Sequence, residues 1–286
     1  MRVTATTAIL ITLAFPEAAL AWGASGHSII AEIAQRRLSA SAAANVENLI
    51  GHASLASISS WADDYKFTSV GSKTKRWHFV DFDIAEENPS TAEACKLESE
   101  GDCLILALNR EVARLADPAL PPLARQNSLR FVVHLMGDLS QPFHCSEHAG
   151  DGGGNGVKVD FVGKYPDGKE AKFSGNLHKL WDDILIEAHA FSWGAYLEEI
   201  ETTVIPNLAV SDQRYDHIFD WAKECHQVGR RAYAMLPAGW ESVVGAGGPI
   251  ALDAKYQQSV QGTLDQQLAI GGLRLAAVLN KALGSK

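Results

Sequence analysis

Two pairs of residues in this sequence have the spacing of metal ligands. His134 and Asp138 are four residues apart in FVVHLMGD, and His178 and Asp182 repeat that spacing in NLHKLWDD. Residues i and i+4 project from one face of an α-helix, so each pair can present an imidazole and a carboxylate together. His144 follows the first pair, after a proline that ends the helix. One pair alone could be a surface salt bridge, but two on different helices predict a metal site, and these ligand types suit zinc.

Two further stretches each offer a single ligand. SWADDY contains Asp63 and Asp64, and either carboxylate can serve. RWHFVDFD places His78 among aromatic residues, where the alternative is a packed, hydrogen-bonded core histidine.

Residues 1–21 have the features of a cleavable secretory signal. Arg2 gives a minimal positive end, 8–15 form an apolar stretch, and Ala19 and Ala21 form the small-x-small pattern that signal peptidases cut. The apolar stretch is too short to span a bilayer. An ordinary N-terminal helix is the alternative. We expect a mature protein that begins at Trp22, is secreted or periplasmic, and has no membrane anchor.

The composition is that of an ordinary globular protein. The chain has 286 residues, of which 47% are hydrophobic and 21% charged, and its formal net charge is −9. Residues 22–286 have a suitable length for one domain. The negative charge argues against a protein that wraps duplex DNA, which needs broad Lys/Arg surfaces. If the protein binds phosphates, the positive charge must be local, and bound metal is the obvious source.

The four cysteines are an even number in a chain that is expected to be exported, which favours two disulfides. Cys95 and Cys103 are close enough in sequence to close one loop, which leaves Cys145 and Cys225 as a pair by elimination. The alternative for Cys145, which adjoins His144, is a thiolate metal ligand.

Helical periodicity dominates the elements that must position these residues. Helices are predicted at 26–38, 104–115, 122–139, 176–188 and 215–236, and in a final segment that carries Val260, Leu264, Leu268, Leu275 and Leu279 near one face. Gly271 and Gly272 can kink that last helix. The exception is 157–173, where alternation on both sides of Pro166-Asp167-Gly168 predicts a hairpin. The expected fold is mostly α, with one small β-hairpin beside the site.

An ordered set of motifs resembles the zinc-dependent single-strand nuclease family, which includes fungal nucleases and plant bifunctional nucleases. The matching motifs are WGxxGH at 22–27, SWAD at 60–63, WHFxD at 77–81, HxxxDxxQPxH at 134–144 and NLHxxxD at 176–182. The later helices agree only in general character. The resemblance implies a single-domain helical fold of the phospholipase C/nuclease type, an endonuclease among the hydrolases that act on ester bonds, and three bound Zn²⁺ ions.

The resemblance also implies a ligand set for each zinc ion. The first would be held by Asp63, His78, His134 and Asp138. The second would be held by His144, His178 and Asp182. The third would be held by His27, by Asp138 as a bridge, and by the main-chain amine and carbonyl of Trp22.

The role of Trp22 has a physical reason. A free α-amine and its own carbonyl oxygen form a five-membered chelate, and the amine loses its proton readily beside a divalent cation because its reference pKa is about 8. Signal cleavage would then assemble the site as well as accompany export. The alternative is that Trp22 only fills the core.

The resemblance further implies the activity and the residues that bind substrate. The substrates would be single-stranded DNA, RNA and 3′-nucleotides, with cleavage of the P–O3′ bond giving 5′-phosphorylated products. Asp63 and Lys66 would act in catalysis, and Lys66 would neutralise a phosphate oxygen. Phe79 would stack on a base while Asp81 bonds the base edge. The alternatives are a solvated Lys66 and a core Phe79.

Two other functions compete with this interpretation. Zinc-dependent phospholipase C shares the helical scaffold and acts on phospholipid headgroups. A secreted zinc-binding protein without turnover is the second alternative. Neither a membrane nor an obligate protein partner is inferred.

Overall fold

A computed structural model describes residues 22–91, 95, 102–209 and 218–284. The proposed signal segment 1–21 lies outside the described residues. Helices account for most of the described chain, as predicted. The α-helices are α1 (Ala24–Gln35), α2 (Ala40–Ile50), α3 (Leu55–Ile58), α4 (Trp61–Tyr65), α5 (Leu104–Ala116), α6 (Pro122–Asp138), α7 (Leu177–Lys179), α8 (Leu185–His189), α9 (Trp193–Glu199), α10 (Ile218–Ala234), α11 (Trp240–Gly245) and α12 (Ala254–Leu283).

Shorter helical turns connect several of these elements. The 3-10 turns are Gly71–His78, Pro142–His144 and Ile205–Asn207, and the π-helical turns are Leu180–Ile184 and Ile200–Val204. The strands are β1 (Phe82–Asp83), β2 (Ser146–Glu147), β3 (Lys158–Lys164), β4 (Glu170–Asn176) and β5 (Ile250–Asp253). None of the described helices is both long and apolar enough to cross a membrane.

The long C-terminal helix α12 forms the centre of the core. It packs against α1, α2, α5 and α6, and its apolar face is fully buried at Leu264, Leu268 and Leu275. The helix runs as one α-helix through Gly271 and Gly272. Both glycines serve close packing there, because a Cβ on Gly272 would lie 2.5 Å from the Ile33 side chain and one on Gly271 would lie 2.7 Å from Ser140 Oγ.

The predicted hairpin is present. β3 and β4 are antiparallel, with Lys158 opposite Asn176 and Phe161 opposite Phe173, and β5 joins the free edge of β3 in parallel. Alternate residues of β3 are buried, which explains the period-2 pattern in the sequence. Gly168 closes the turn with a φ of +81°, a conformation that glycine adopts without strain.

Most predicted helix boundaries lie close to the observed ones, but three differ. α1 begins earlier than predicted and ends at Gln35. The predicted helix 176–188 consists of α7, a π turn and α8, so it is not regular. The helix predicted at 215–236 is described over Ile218–Ala234, and 215–217 lie outside the described residues.

Both expected disulfides are present. Cys95 bonds Cys103, and Cys145 bonds Cys225 across 80 residues of sequence. The second disulfide joins α10 to the segment that follows His144. A thiolate ligand at Cys145 is therefore wrong, because its sulfur is bonded to another sulfur.

Candidate metal centre

The first cluster of buried polar residues joins three separate elements. Asp63 comes from α4, His78 ends the 3-10 turn Gly71–His78, and α6 supplies His134 and Asp138. His78 Nδ1 lies 3.0 Å from Asp138 Oδ2, and His134 Nε2 lies 3.4 Å from the same oxygen. Asp63 Oδ1 lies 3.5 Å from His134 Nε2 and 3.7 Å from His78 Nδ1. The spacing of four on α6 therefore brings two groups to one point, as predicted, and the fold adds the other two.

The second cluster joins three elements: the 3-10 turn Pro142–His144, the helix α7 and the π turn that follows α7. His178 Nε2 lies 3.2 Å from Asp182 Oδ2 and 3.1 Å from His144 Nε2. His144 belongs to the 3-10 turn Pro142–His144. Asp182 lies in the π turn, an irregularity that often occurs at functional positions. These three residues form one of the groups whose ligand atoms are close enough to hold a metal ion.

His27 and Trp22 bring the start of the described chain to the first cluster. His27 Nε2 lies 3.4 Å from Asp138 Oδ1, and its ring stacks on that of His134 with centroids 4.1 Å apart. Trp22 is fully buried, and its indole N–H donates to Ser140 Oγ at 3.0 Å. Asp138 thus has one oxygen towards His27 and the other towards His78 and His134.

Main-chain carbonyls fix the orientation of three of the histidines. His134 Nδ1 lies 2.7 Å from Ser59 O, His144 Nδ1 lies 2.6 Å from His78 O, and His178 Nδ1 lies 2.6 Å from Gly153 O. Because a carbonyl only accepts, each Nδ1 carries the proton and each Nε2 is left to face its cluster, the arrangement that orients metal-ligating histidines.

The sequence patterns did not predict these supporting groups. Gly153 lies in the glycine-rich stretch HAGDGGGNG, and its carbonyl faces His178. Gln141 was also missed: its Nε2 donates to Asp182 Oδ1 and its Oε1 accepts from Phe143 N. Its position in the QPxH motif, three residues before His144, could have identified Gln141 as part of the site.

The donors in the first cluster fit a cation. Both carboxylate oxygens of Asp138, both ring nitrogens of His27 and Nε2 of His78 are buried without a hydrogen-bond partner. Burial of an unpaired carboxylate is costly, and a divalent ion among imidazole and carboxylate groups would remove that cost.

The protonation states also fit metal binding. Burial lowers the pKa of His27 and His78 to about 4 and that of His178 to about 3, so these imidazoles are neutral, which is the form that binds metal. Burial opposes ionisation of Asp138, but the histidines around it, His134 foremost, hold the pKa of this carboxyl well below its usual range.

His134 behaves differently from the other histidines. Burial alone would lower its pKa, but the Asp138 and Asp63 carboxylates raise it to about 9. The pair of carboxylates therefore attracts positive charge to this point, whether that charge is a proton or a metal ion.

Lys66 is part of the same buried network. It is 5% exposed, and its Nζ donates to Asp63 Oδ1 at 2.6 Å. The pKa of Asp63 lies well below its usual range: burial raises it, but His134 and Lys66 outweigh burial. A solvated Lys66 is excluded by this burial.

A cavity of about 340 Å³ opens over both clusters. Its lining includes Lys66, His78, Phe79, Asp81, His144 and His178. Phe79 is half-buried rather than a core aromatic. The carboxyl of Asp81 has its pKa raised to about 6 by burial and by the neighbouring Glu147. Three of the histidines that could hold metal and the two expected base-binding residues therefore face one space.

The remaining described histidines lie outside these clusters. His226 is buried, with Nδ1 3.0 Å from Ser146 Oγ and Nε2 2.7 Å from Glu86 O, so its role is structural. His52 pairs with Glu47 on the surface.

Comparison with known proteins identifies the group to which the chain is similar. The sequence model of the family S1/P1 Nuclease matches residues 22–284. Nuclease P1 of Penicillium citrinum is 34% identical over 287 residues, covering 93% of this chain and 99% of the relative. Endonuclease 2 of Arabidopsis thaliana is 30% identical, covering 92% and 91%. Nuclease S1 of Aspergillus oryzae is 33% identical over 63% of this chain and 59% of its own.

The family match spans all five sequence motifs and both clusters, and the relatives align over most of the chain. The chain belongs to the S1/P1 nuclease family, and it is a hydrolase that acts on phosphodiester bonds of nucleic acids.

Proposed function

We propose that the protein is a zinc-dependent endonuclease that hydrolyses single-stranded DNA and RNA to 5′-phosphorylated products and removes phosphate from 3′-nucleotides. The observation that carries this proposal is the shared cavity: histidines of both clusters, the ammonium of Lys66, and the Phe79–Asp81 pair all line it. Phosphate chemistry and base recognition would thus occur in one place.

The described donor groups support three zinc sites. Asp63, His78, His134 and Asp138 would hold the first ion; His144, His178 and Asp182 the second; and His27, Asp138 and the main chain of Trp22 the third. Asp138 Oδ1 faces His27 and Asp138 Oδ2 faces His78, and neither oxygen has a hydrogen-bond partner. This arrangement favours a bridging role for Asp138. When bound, zinc lowers the pKa of water towards neutrality and stabilises negative charge on a leaving oxygen.

Lys66 supplies a positive charge that belongs to the chain itself. The 2.6 Å contact with Asp63 holds its ammonium at the cavity wall. An ammonium has three donors, so Lys66 can bond a phosphate oxygen while it keeps Asp63. Asp63 accordingly acts both as a metal ligand and as the group that positions Lys66.

Phe79 and Asp81 would bind the base next to the scissile phosphate. Stacking works for any base and contributes about 1–3 kcal/mol per base, so it predicts little sequence preference. A base within a duplex is already stacked and must first leave the helix, which explains selectivity for single strands. The ionised Asp81 carboxylate can accept from an exocyclic amine of the base.

The position of Trp22 supports a role for signal cleavage. The Gly23 N–H donates to Asp182 O at 3.0 Å, and the Trp22 indole bonds Ser140. These two bonds hold Trp22 between the second cluster and the end of α6. Cleavage after residue 21 would create a free amine there, whereas an amide nitrogen is a poor zinc ligand. Export to the periplasm or the medium is part of the same proposal.

Metal analysis of two preparations tests the proposal. One begins at Trp22, and the other carries one additional N-terminal residue; each is assayed on single-stranded DNA, RNA, a 3′-nucleotide and phosphatidylcholine vesicles. We expect three zinc ions and nucleic-acid cleavage in the first, and loss of at least one zinc and of most activity in the second. Equal zinc content and equal rates would contradict the role of the N-terminus.

The same assays distinguish the competing functions. Hydrolysis of phosphatidylcholine without cleavage of single-stranded DNA would identify a phospholipase C. Bound zinc without turnover of any substrate would identify a zinc-binding protein.

A further inference from the structure

A second groove, of about 610 Å³, lies beside the 3-10 turn Gly71–His78. Three cationic side chains line it: Lys73 from that turn, and Arg110 and Arg114 from α5. We refer to it as the cationic groove, defined by these three residues. Lys73 and Arg114 are exposed, so both side chains can reach a ligand, and Arg114 also pairs with Glu111.

The acidic groups beside the cationic groove form ion pairs with its two arginines. Glu111 is the acidic residue of the lining; it is 5% exposed, accepts from Ser128 Oγ at 2.7 Å and from Arg110 Nε at 3.2 Å, and lies 3.5 Å from Arg114 Nε. Arg110 also pairs with Asp102. Among the described residues, Lys73 forms no ion pair. Three cations and the two carboxylates that pair with them, Glu111 and Asp102, leave the groove with a net charge of +1, although the whole chain carries −9.

The cationic groove also contains an aromatic surface. The Arg110 guanidinium lies over the Trp77 ring, 4.4 Å from its centroid, and Trp77 lines the groove. Cations interleaved with aromatic rings are the pattern of surfaces that bind single strands without sequence preference. The packing on Trp77 also holds Arg110 in place, which reduces the entropy lost on binding.

The 3-10 turn Gly71–His78 contributes residues to both the cationic groove and the candidate active site. Lys75 lines the active-site cavity and Lys73 lines the groove, and two residues of a 3-10 helix correspond to a rise of only about 4 Å. Arg76 follows Lys75 in the same turn, with its guanidinium 5.8 Å from the centroid of Phe79. Positive charge from this one turn therefore lines both spaces.

We propose that the cationic groove binds phosphates of a single-stranded nucleic acid whose other end occupies the active-site cavity. This inference rests on the proposed function and extends it: the substrate would be a polynucleotide held over several phosphates, not only the nucleotides at the scissile bond. Contacts to phosphates carry no sequence information, so the groove would increase affinity for long strands equally for all sequences.

The double variant Lys73→Ala/Arg114→Ala tests the inference, with Lys255→Ala/Arg231→Ala as a control that removes the same two charges from exposed positions outside the groove lining. Binding of a fluorescent, phosphorothioate strand of about 20 nucleotides is followed by anisotropy at several salt concentrations, and hydrolysis of a dinucleotide is measured separately. Each phosphate contact on a single strand contributes about 0.7 to the slope of log K against log salt.

We expect the groove variant to bind the long strand roughly tenfold more weakly at low salt, with a slope smaller by about 1.4 for two lost contacts. Its dinucleotide hydrolysis and zinc content should match those of wild type, which also shows that it is folded. Strand affinity and salt slope equal to those of the control variant would overturn the inference. Failure of the wild type to cleave any nucleic acid would instead refute the proposed function, since groove binding is read by anisotropy without cleavage.

Discussion

Gly137 packs directly against the imidazole of His27. A Cβ built on Gly137 would lie 2.5 Å from His27 Nδ1, closer than real Cβ atoms approach. α6 therefore comes this near to α1 only because position 137 has no side chain. Gly137 directly precedes Asp138, the candidate bridging ligand. It leaves space for His27, which would complete the third zinc site.

Gly137→Ala should displace His27 from Asp138. We expect about one fewer zinc ion per chain, with a loss of about 1–3 kcal/mol in the free energy of unfolding from overpacking. Metal analysis and chemical denaturation measure both. Gly262→Ala is the matched control, because Gly262 also lies inside an α-helix but has nothing within 4 Å of its Cβ position; it should stabilise α12 by about 0.5–1 kcal/mol. Full zinc content in Gly137→Ala would refute the packing argument.

Lys66→Gln should slow catalysis without removing metal. The substitution deletes the ammonium that is 2.6 Å from Asp63 and leaves a side chain of similar size. Removal of one preorganised group that stabilises transition-state charge typically costs about 10²–10³ in kcat. Steady-state kinetics on a dinucleotide, alongside zinc analysis, test this. A rate within twofold of wild type would show that Lys66 has no catalytic role.

Phe79→Ala should weaken recognition of the base. Loss of one stacking contact of about 1–3 kcal/mol predicts a decrease in kcat/KM of roughly 5- to 150-fold on dinucleotides. A phosphodiester without a base, such as bis(p-nitrophenyl) phosphate, should be hydrolysed at the wild-type rate. If both substrates lose activity equally, Phe79 supports the structure rather than the base.

Asp81→Asn should change the pH dependence of stability. Burial and Glu147 raise the pKa of the Asp81 carboxyl to about 6 from 3.8, so between these values the folded state binds more protons than the unfolded state. Stability of the wild type therefore falls as pH rises through this window, and the asparagine variant lacks this loss. The free energy of unfolding of Asp81→Asn minus that of wild type measures this effect. We expect the difference to be more favourable to the variant at pH 7 than at pH 4, by on the order of 1–2 kcal/mol.

Urea denaturation in the presence of a chelator measures that difference, because metal loss at low pH then affects neither protein. An advantage that is the same at both pH values would mean that Asp81 titrates normally.

The two disulfides should contribute unequally to stability. The Cys145–Cys225 bond closes a separation of 80 residues and the Cys95–Cys103 bond one of 8. Chain entropy predicts about 4.5 kcal/mol for the longer loop and about 2.6 kcal/mol for the shorter. Paired Cys→Ser variants compared by denaturation should follow this order. The reverse order would show that native-state contacts, and not loop entropy, dominate.

The two pairs of candidate metal ligands could be predicted from the sequence because their proximity depends on local geometry. His134 and Asp138 lie one helical turn apart, and that spacing sets their direction whatever the rest of the fold does. The same reasoning worked for His178 and Asp182 even though a π turn lies between α7 and α8, because the irregularity does not separate the two side chains. The hairpin was predictable for a similar reason, since alternation and a turn with glycine are both local.

Other features depended on contacts between distant segments. Ser59 O and Gly153 O orient His134 and His178, but any residue has a carbonyl, so no residue type signals this role. The irregular helix at 176–188 was missed because periodicity cannot distinguish an α from a π turn over five residues.

By itself, the sequence determined the residue types, their spacing along each helix and the even number of cysteines, and these decided the family, the mostly-α fold and the candidate ligands. Only the tertiary structure decided where the charges lie. A net charge of −9 is a sum over the chain, and it became a positive groove locally because α5 packs against the turn Gly71–His78. The net charge does not say where on the protein the charges lie. The electrostatic field at a surface depends on the distances between charges, and only the folded chain defines those distances.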